Sequence, residues 1–265
     1  MEHVSIIHTD SGRPIVSDVG FALEEGHCLG IVGESGSGKT LICRALLGLL
    51  PPSLHAEGVI RFEQTDMLTA SSEETRQLRG TGIGSIFQQP MTAFDPLYTL
   101  GDQFVETLGE KLQLNLAGAN ALARYALALV KLPEAVMKSY PHQLSGGMLQ
   151  RCMIALTLAM RSRLVVADEP TTALDAANQY EVLQRFRRLR EEHNVSLIIV
   201  SHDLGAVQML ADSLLVMCRG RCVEAGDAES VFNAPQHPYT QYLVSTRLAL
   251  ICGFRRVLGE RNVHA

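Results

Sequence analysis

The stretch "GESGSGKT" (33–40) sets Gly33, Gly36 and Gly38 directly ahead of a lysine and a threonine. Bare glycines let backbone N–H groups turn toward an anion with no Cβ in the way. The spacing fits G-x-x-x-x-G-K-[ST], a pattern that wraps a triphosphate when it lies between a strand and a helix. Gly33, Glu34, Ser35, Gly36, Ser37 and Gly38 are therefore expected to form the cradle. Lys39 should reach the β- and γ-phosphates as a point charge, and Thr40 should offer its hydroxyl to Mg²⁺. The helix starting here adds its positive end.

Further candidates end other apolar runs. "RLVVADEP" (163–170) closes on two acids whose burial would be costly without partners. Asp168 is expected to hold Mg²⁺ through water, and Glu169 to act as general base toward the attacking water. "SHD" (201–203) offers His202 to the γ-phosphate or the attacking water, and Gln88 follows "IGSIF" toward the same sheet edge, able to meet Mg²⁺ or water. "LSGGMLQR" (144–151) is different. Ser145 is a plausible helix cap, and Gly146 and Gly147 free the N–H groups behind it. That makes a second anion site, with no obvious second phosphate in a chain with one such loop.

These residues need strands to present them. Residues 3–8 and 16–24 suggest a hairpin around "DSGRP"; 27–32 is a buried strand and 38–49 a helix. "PPSLHAEG" (51–58) is a turn-rich connection, and 59–64 and 83–88 are strands. From about 93 to 155 apolar residues recur at three and four, as in helices. Strand and helix then alternate: 163–168, a helix from about 175 to 192, 196–201, a helix near 204–211, 213–218 and 221–226. The pattern predicts an α/β fold with a mainly parallel sheet covered on both faces. The expected division is a domain of 1–235, its core 1–92 with 156–235 around a helical subdomain of about 93–155, then a short helical tail, 236–265.

Composition narrows the partners. The chain has 265 residues, 46% hydrophobic and 19% charged, enough for one large domain or two small ones. A net charge of −5 gives no electrostatic case for nucleic acid, and "RFRRLR" (185–190) reads as a solvated helix face. The longest apolar candidate, "CMIALTLAM" (152–160), falls short of the roughly 20 residues that span a bilayer. "MEHVSIIHTD" lacks the marks of a signal peptide, so a cytoplasmic location is expected. Cys28, Cys43, Cys152, Cys218, Cys222 and Cys252 show no paired CxxC spacing and read as small core residues. Cys218 and Cys222 flank "RGR" in a probable hairpin, but no second pair completes four zinc ligands.

Taken in order, "GESGSGKT", "FQQP", "LSGGMLQR", "LVVADEP", "TTALD" (171–175) and "SHD" make the chain resemble the ATP-binding-cassette ATPases over nearly its whole length. The resemblance implies a RecA-like P-loop core with an antiparallel β region and an inserted helical subdomain, using ATP and Mg²⁺. It also implies that two cassettes pack head to tail, so that Ser145, Gly146 and Gly147 would serve the partner's γ-phosphate and Asp175 would couple the two sites. Two departures stand out. Met148 replaces the glutamine usual in the family, and no clear aromatic for stacking on adenine stands ahead of the P-loop, His8 being a candidate.

"FQQPMTAFDPLYTLGDQ" and "VFNAPQHPYTQYLVS" are similar to the oligopeptide, dipeptide and nickel importer branch. The short tail, "SGGMLQR" and "LVSTRLAL" resemble most the first cassette of nickel and metal–opine importers, with dipeptide or oligopeptide import as the alternative cargo. With only Cys252 in the tail, no iron–sulfur site is expected there. The implied partners are a second cassette, two membrane permeases and an extracytoplasmic solute-binding protein, without nucleic acid. The chain would then be peripheral on the cytoplasmic face of the inner membrane, with a groove near Gln88 and residues 90–105 receiving a permease helix. Soluble cassettes of DNA repair or translation usually carry coiled-coil arms or zinc insertions, absent here, and "HPYT" is foreign to exporters.

Overall fold

A computed structural model describes residues 1–246 of the chain. Strands β1 (Glu2–His8) and β2 (Pro14–Val19) pair antiparallel around the "DSGRP" turn, closed by the His8 N–H donating to Arg13 O at 2.9 Å. β3 (Cys28–Val32) leads through the glycine-rich loop into α1 (Lys39–Leu46). β4 (Leu54–Val59), β5 (Arg61–Phe62), β6 (Thr65–Asp66), α2 (Ser72–Leu78) and β7 (Ile83–Ile86) follow. The helical stretch comprises α3 (Leu100–Leu112), α4 (Leu116–Leu129) and α5 (Gly146–Met160). Alternation resumes with β8 (Leu164–Asp168), α6 (Ala176–His193), β9 (Ser196–Val200), α7 (Leu204–Leu210), β10 (Ser213–Cys218), β11 (Arg221–Asp227) and α8 (Ala228–Asn233); residues 238–246 are helical.

The main sheet runs β11-β10-β3-β9-β8-β7, parallel except for the antiparallel edge strand β11. β3, β8 and β9 are buried along their whole lengths, which is why each reads as an unbroken apolar run. Their side chains alternate between two cores. Leu29, Ile31, Val166, Ile198 and Val200 pack with α1 and the antiparallel strands; Cys28, Val32, Val165, Ala167, Leu197 and Ile199 pack with the helices of the other face. The helical stretch joins this second core. α3 is capped by Thr99 and buries Leu100, Phe104 and Leu108 at four-residue spacing, each contributing about 1.5–3 kcal/mol. α5 runs beyond residue 155 to Met160 with its last turn buried, so one helix ties that stretch to the sheet.

Three expectations need correction. Residues 51–58 are not all connection: β4 occupies 54–59 and pairs with β1, making the hairpin a three-stranded sheet, β2-β1-β4. Only Leu54 and Ala56 of this edge strand reach the core, too faint an alternation to read. At Gly58 (φ +104°) the two backbones come so close that a Cβ would lie 2.5 Å from His3 O. The expected strand 59–64 breaks at Ile60, and β5 pairs instead with β6. α2 was not anticipated, although "SSEE" spells a capping box: Glu74 N–H donates to Ser71 Oγ at 3.2 Å, and Ser71 N–H to Glu74 Oε2 at 2.8 Å.

Three of the described cysteines, Cys28, Cys43 and Cys152, are core residues, while Cys218 and Cys222 are half-buried. Cys28 and Cys43 are buried, and burial raises both thiols well above their ordinary range. Cys218 pairs across the hairpin with Arg221 while Cys222 pairs with Met217, so the two cysteines face opposite sides of the sheet. Among the described residues no group of three or more His, Cys, Asp or Glu side chains could hold a metal ion. Cys252 and most of the tail lie outside the described residues.

Candidate active site

The glycine-rich loop joins the buried end of β3 to the first turn of α1. Two of its glycines are dictated by crowding. A Cβ on Gly33 (φ +149°) would collide with Met217 O and sit 2.9 Å from Ser37 Oγ; one on Gly38 (φ +101°) would lie 2.7 Å from Val16 Cγ2. Lys39 is buried, and its ammonium donates to Gly33 O and Glu34 O, both at 2.8 Å. Burial lowers its pKa, against the opposing pull of Glu169 and Asp168. The Ser37 hydroxyl is buried, with no hydrogen-bond partner among the described residues. From outside, the Gly220 N–H donates to Ser37 O at 3.1 Å, and the Glu34 N–H donates to the Tyr239 hydroxyl at 2.9 Å.

The acid pair stands at the end of β8. Asp168 is buried, and its Oδ1 has no hydrogen-bond partner among the described residues. Burial raises its pKa, opposed by a hydrogen bond from the Thr40 hydroxyl. A buried, underpaired carboxylate beside a threonine hydroxyl fits a hard cation, which takes oxygen ligands. Glu169 follows in left-handed backbone, φ +51°, a conformation rare for this residue type and often found at functional sites. Its carboxyl is held on every side. Oε1 accepts the His202 N–H at 3.0 Å and meets His202 Nδ1 at 2.8 Å, while Oε2 accepts the Thr172 hydroxyl at 2.9 Å and the Ser201 hydroxyl at 3.5 Å. A carboxylate there can only accept, so Nδ1 carries the proton in that contact.

These groups surround one cavity of about 610 Å³. Ser35, Gly36, Gly38, Lys39, Thr40, Gln88, Asp168, Glu169 and His202 line it, together with Ile15 and Leu41. Gly33, Glu34 and Ser37 are not in the wall: Gly33 and Ser37 are buried and Glu34 is exposed. His8 is not part of the wall; Ile15 of β2 occupies the mouth, an aliphatic side chain where sequence reasoning sought a ring. Gly220 holds that strand, accepting the Ser17 N–H at 2.8 Å. Neither Ile15 nor Gly220 carries a polar signal that sequence reading could have caught. Tyr239 does, inside the "HPYT" motif.

Ser145, Gly146, Gly147 and Asp175 lie apart from this cavity. Ser145 caps α5, its hydroxyl accepting the Met148 N–H at 3.3 Å, and Gly146 faces open space. Gly147 packs so closely on the 171–175 loop that a Cβ would lie 2.9 Å from Ala173 O. Gln150, wholly buried, donates to Pro170 O at 3.0 Å and so ties this helix to the acid pair's strand. Asp175 caps α6, accepting from the Asn178 N–H at 3.0 Å and the Asn178 amide at 2.6 Å; those bonds hold its carboxyl below the usual range. Met148 packs against the helical core, which accounts locally for an apolar residue there.

Comparison with known proteins supplies the context. The ABC transporter family model matches residues 16–172. The metal-staphylopine import system ATP-binding protein CntD of Staphylococcus aureus is 42% identical over 266 residues, covering 100% of this chain and 98% of that protein. The dipeptide transport ATP-binding protein DppD of Haemophilus influenzae is 42% identical over 255 residues, covering 92% and 76% respectively. Among solved structures, the ATP-binding cassette MJ0796, a dimer in a post-hydrolysis state bound to ADP and Pi, superposes with a TM-score of 0.76 at 25% identity, covering 85% of this chain and 98% of that one.

Proposed function

We propose that this chain, which belongs to the ABC transporter family, hydrolyses ATP to drive import of a metal or metal chelate across a membrane. The observation carrying the chemistry is the convergence of Lys39, Thr40, Gln88, Asp168, Glu169 and His202 on one cavity at the carboxyl edge of a parallel sheet. The cargo reading rests on end-to-end similarity to a metal-staphylopine import protein, which extends over residues that the dipeptide relative's alignment leaves out.

The nucleotide's phosphates lie along the backbone of 33–40, and Lys39 exchanges its carbonyl partners for phosphate oxygens. Thr40 and Asp168, with Gln88, would hold Mg²⁺, which when bound would offset phosphate charge. Glu169 takes a proton from the attacking water as its oxygen bonds to the γ-phosphorus; the bond from that phosphorus to the bridging oxygen breaks, releasing ADP. His202, by holding Glu169 Oε1, aims the carboxyl and stabilises its charge.

Ser145, Gly146 and Gly147 complete the corresponding site of a second cassette, with Asp175 at the junction. The core of 1–92 with 156–235 and the helical unit of about 93–155 are the two working parts, linked through α5. Among the described residues no helix is long and apolar enough to cross a membrane. By similarity to import-system ATP-binding proteins, the chain works beside two permeases, peripherally on the cytoplasmic face, with an extracytoplasmic binding protein delivering cargo. The docking strip is residues 90–105, where Met91, Leu97 and Tyr98 are 49%, 77% and 57% exposed.

The test is reconstitution of the cassette with its permeases, second cassette and binding protein in lipid vesicles. Nickel(II) alone, a nickel–opine chelate and a dipeptide are supplied in turn, with ATP hydrolysis and uptake followed. Stimulation by metal or chelate is expected. Stimulation by dipeptide alone would overturn the cargo reading and leave the ATPase reading standing.

A further inference from the structure

The "HPYT" motif (237–240) lies outside the cavity, yet each of its side chains has a defined place. The Glu224 carboxylate on β11 accepts the Gln236 N–H at 2.8 Å and the His237 N–H at 3.0 Å, fixing the turn. His237 Nδ1 accepts the Tyr239 N–H at 3.1 Å, as a capping side chain does at a helix start. Pro238 takes the first helical position, where its missing N–H costs nothing, and Thr240 is buried. Tyr239 packs its ring against the helical core beside Leu243 and Val244, and its hydroxyl accepts the Glu34 N–H at 2.9 Å. Burial raises the phenol's pKa, so the hydroxyl stays neutral.

The Glu34 peptide unit lies where the two ends of this arrangement meet. Its neighbouring carbonyl is held by Lys39 Nζ at 2.8 Å and its N–H by Tyr239. When Lys39 turns to phosphate, the carbonyl contact is lost and the Tyr239 contact remains. We propose that Tyr239 is a positioning residue for the phosphate loop: it fixes the outer end of the cradle through the Glu34 N–H and thereby links nucleotide binding to the docking of the C-terminal helix. This inference rests on the nucleotide site proposed above. Gly220 supports the same loop at Ser37 from the other side, so the cradle is held at two remote points. Binding at the cradle and docking of residues 237–246 must then favour each other equally.

The test uses the full chain, Mg–ATP as probe, and the variants Tyr239→Phe, which keeps the ring, and Lys39→Ala. For Tyr239→Phe, Kd for Mg–ATP should rise about three- to tenfold, the factor expected for one net hydrogen bond. The melting temperature without nucleotide should stay within about 2 °C. Amide exchange in the peptide spanning Glu34 should quicken, and the assembled transporter should show a raised KM with kcat nearly kept. Unchanged affinity and exchange in Tyr239→Phe, while Lys39→Ala loses binding, would overturn the positioning role and leave the site standing. A fall in nucleotide-free stability that accounts for the whole affinity loss would also overturn it. Wild-type affinity in Lys39→Ala would instead remove the site reading itself.

Discussion

Two glycine-rich helix starts in this molecule look alike in sequence and differ in completeness. Both "GESGSGKT" and "LSGGMLQR" open a helix with bare backbone N–H groups. Around the first, the chain supplies everything else: a buried lysine, a buried hydroxyl without a partner, two acids and a cavity wall. Around the second it supplies only a floor. Gly147 and Gln150 bind α5 tightly to the loop that follows the acid pair, while Ser145 and Gly146 are exposed, and among the described residues nothing lies within 4 Å of a Cβ placed on Gly146. A helix start fastened to the loop after the acid pair, yet exposed, fits the proposed half-site to be closed by a second molecule. Head-to-tail pairing of cassettes, as proposed, supplies that second molecule.

The comparison breaks if the first region is not self-sufficient in chemistry. Glu169→Gln keeps the shape of the side chain and removes the base. Phosphate release by the assembled transporter should fall at least ~10²-fold while Mg–ATP still binds; near-normal turnover would remove Glu169 from its role. Lys39→Ala takes away the buried ammonium proposed to meet the phosphates. Binding measured by calorimetry on the single chain should weaken about 10- to 100-fold, the range for hydrogen bonds from a charged group.

The second region is tested by what should not change. Ser145→Arg places a bulky cation at the open helix start. Mg–ATP binding by the single chain should stay within about twofold, while ATP hydrolysis by the assembled complex should fall about tenfold, a coupling of ordinary size between sites. Loss of binding in the single chain would mean that the two regions are one site. Unaltered hydrolysis in the complex would mean that the Ser145 helix start closes nothing.

How much of this could be read beforehand depended on how local the cause was. The cradle, the acid pair and the Ser145 cap are set by residues within one turn or strand end, and their spacing gives them away. The buried runs of β3, β8 and β9 are equally explicit, because a strand covered on both faces has no polar alternation. β4 was illegible for the opposite reason: an edge strand with two core contacts has almost no pattern to show. Ile15 reaches the cavity only because Gly220, some two hundred residues later, clamps β2 to the phosphate loop. Tyr239 belongs to a motif that was visible, but its contact with Glu34 exists only after the sheet has brought β11 beside β3's neighbour β10. The His202–Glu169 contact is similar. Each residue was picked out, while their pairing needed the adjacency of β8 and β9.

The smallest predicted effects are shifts in stability, and they differ in sign between the two regions. Asp168 has its pKa raised by burial. Its contribution to stability is fully present below the unfolded value and is lost as pH rises through the folded one, so at neutral pH the ionised group is a cost in the absence of metal. Asp168→Asn should therefore raise the melting temperature of the nucleotide-free protein at pH 7, by roughly 2–4 °C for each kcal/mol relieved in a chain of this size. The gain should fade below about pH 4, and it should reverse with Mg–ATP present, where a charged carboxylate serves the cation better than a neutral amide. Asp175 has its pKa lowered by the Asn178 bonds, so its contribution is present above the unfolded value and lost as pH falls through the folded one. Asp175→Asn should lower the melting temperature at pH 7 and make no difference in acid, with or without nucleotide on the single chain. Opposite signs at the two aspartates, read from melting curves at two pH values, would separate a carboxylate placed for a cation from one placed to cap a helix. Equal signs would erase the distinction between a finished site and a structural edge awaiting its partner.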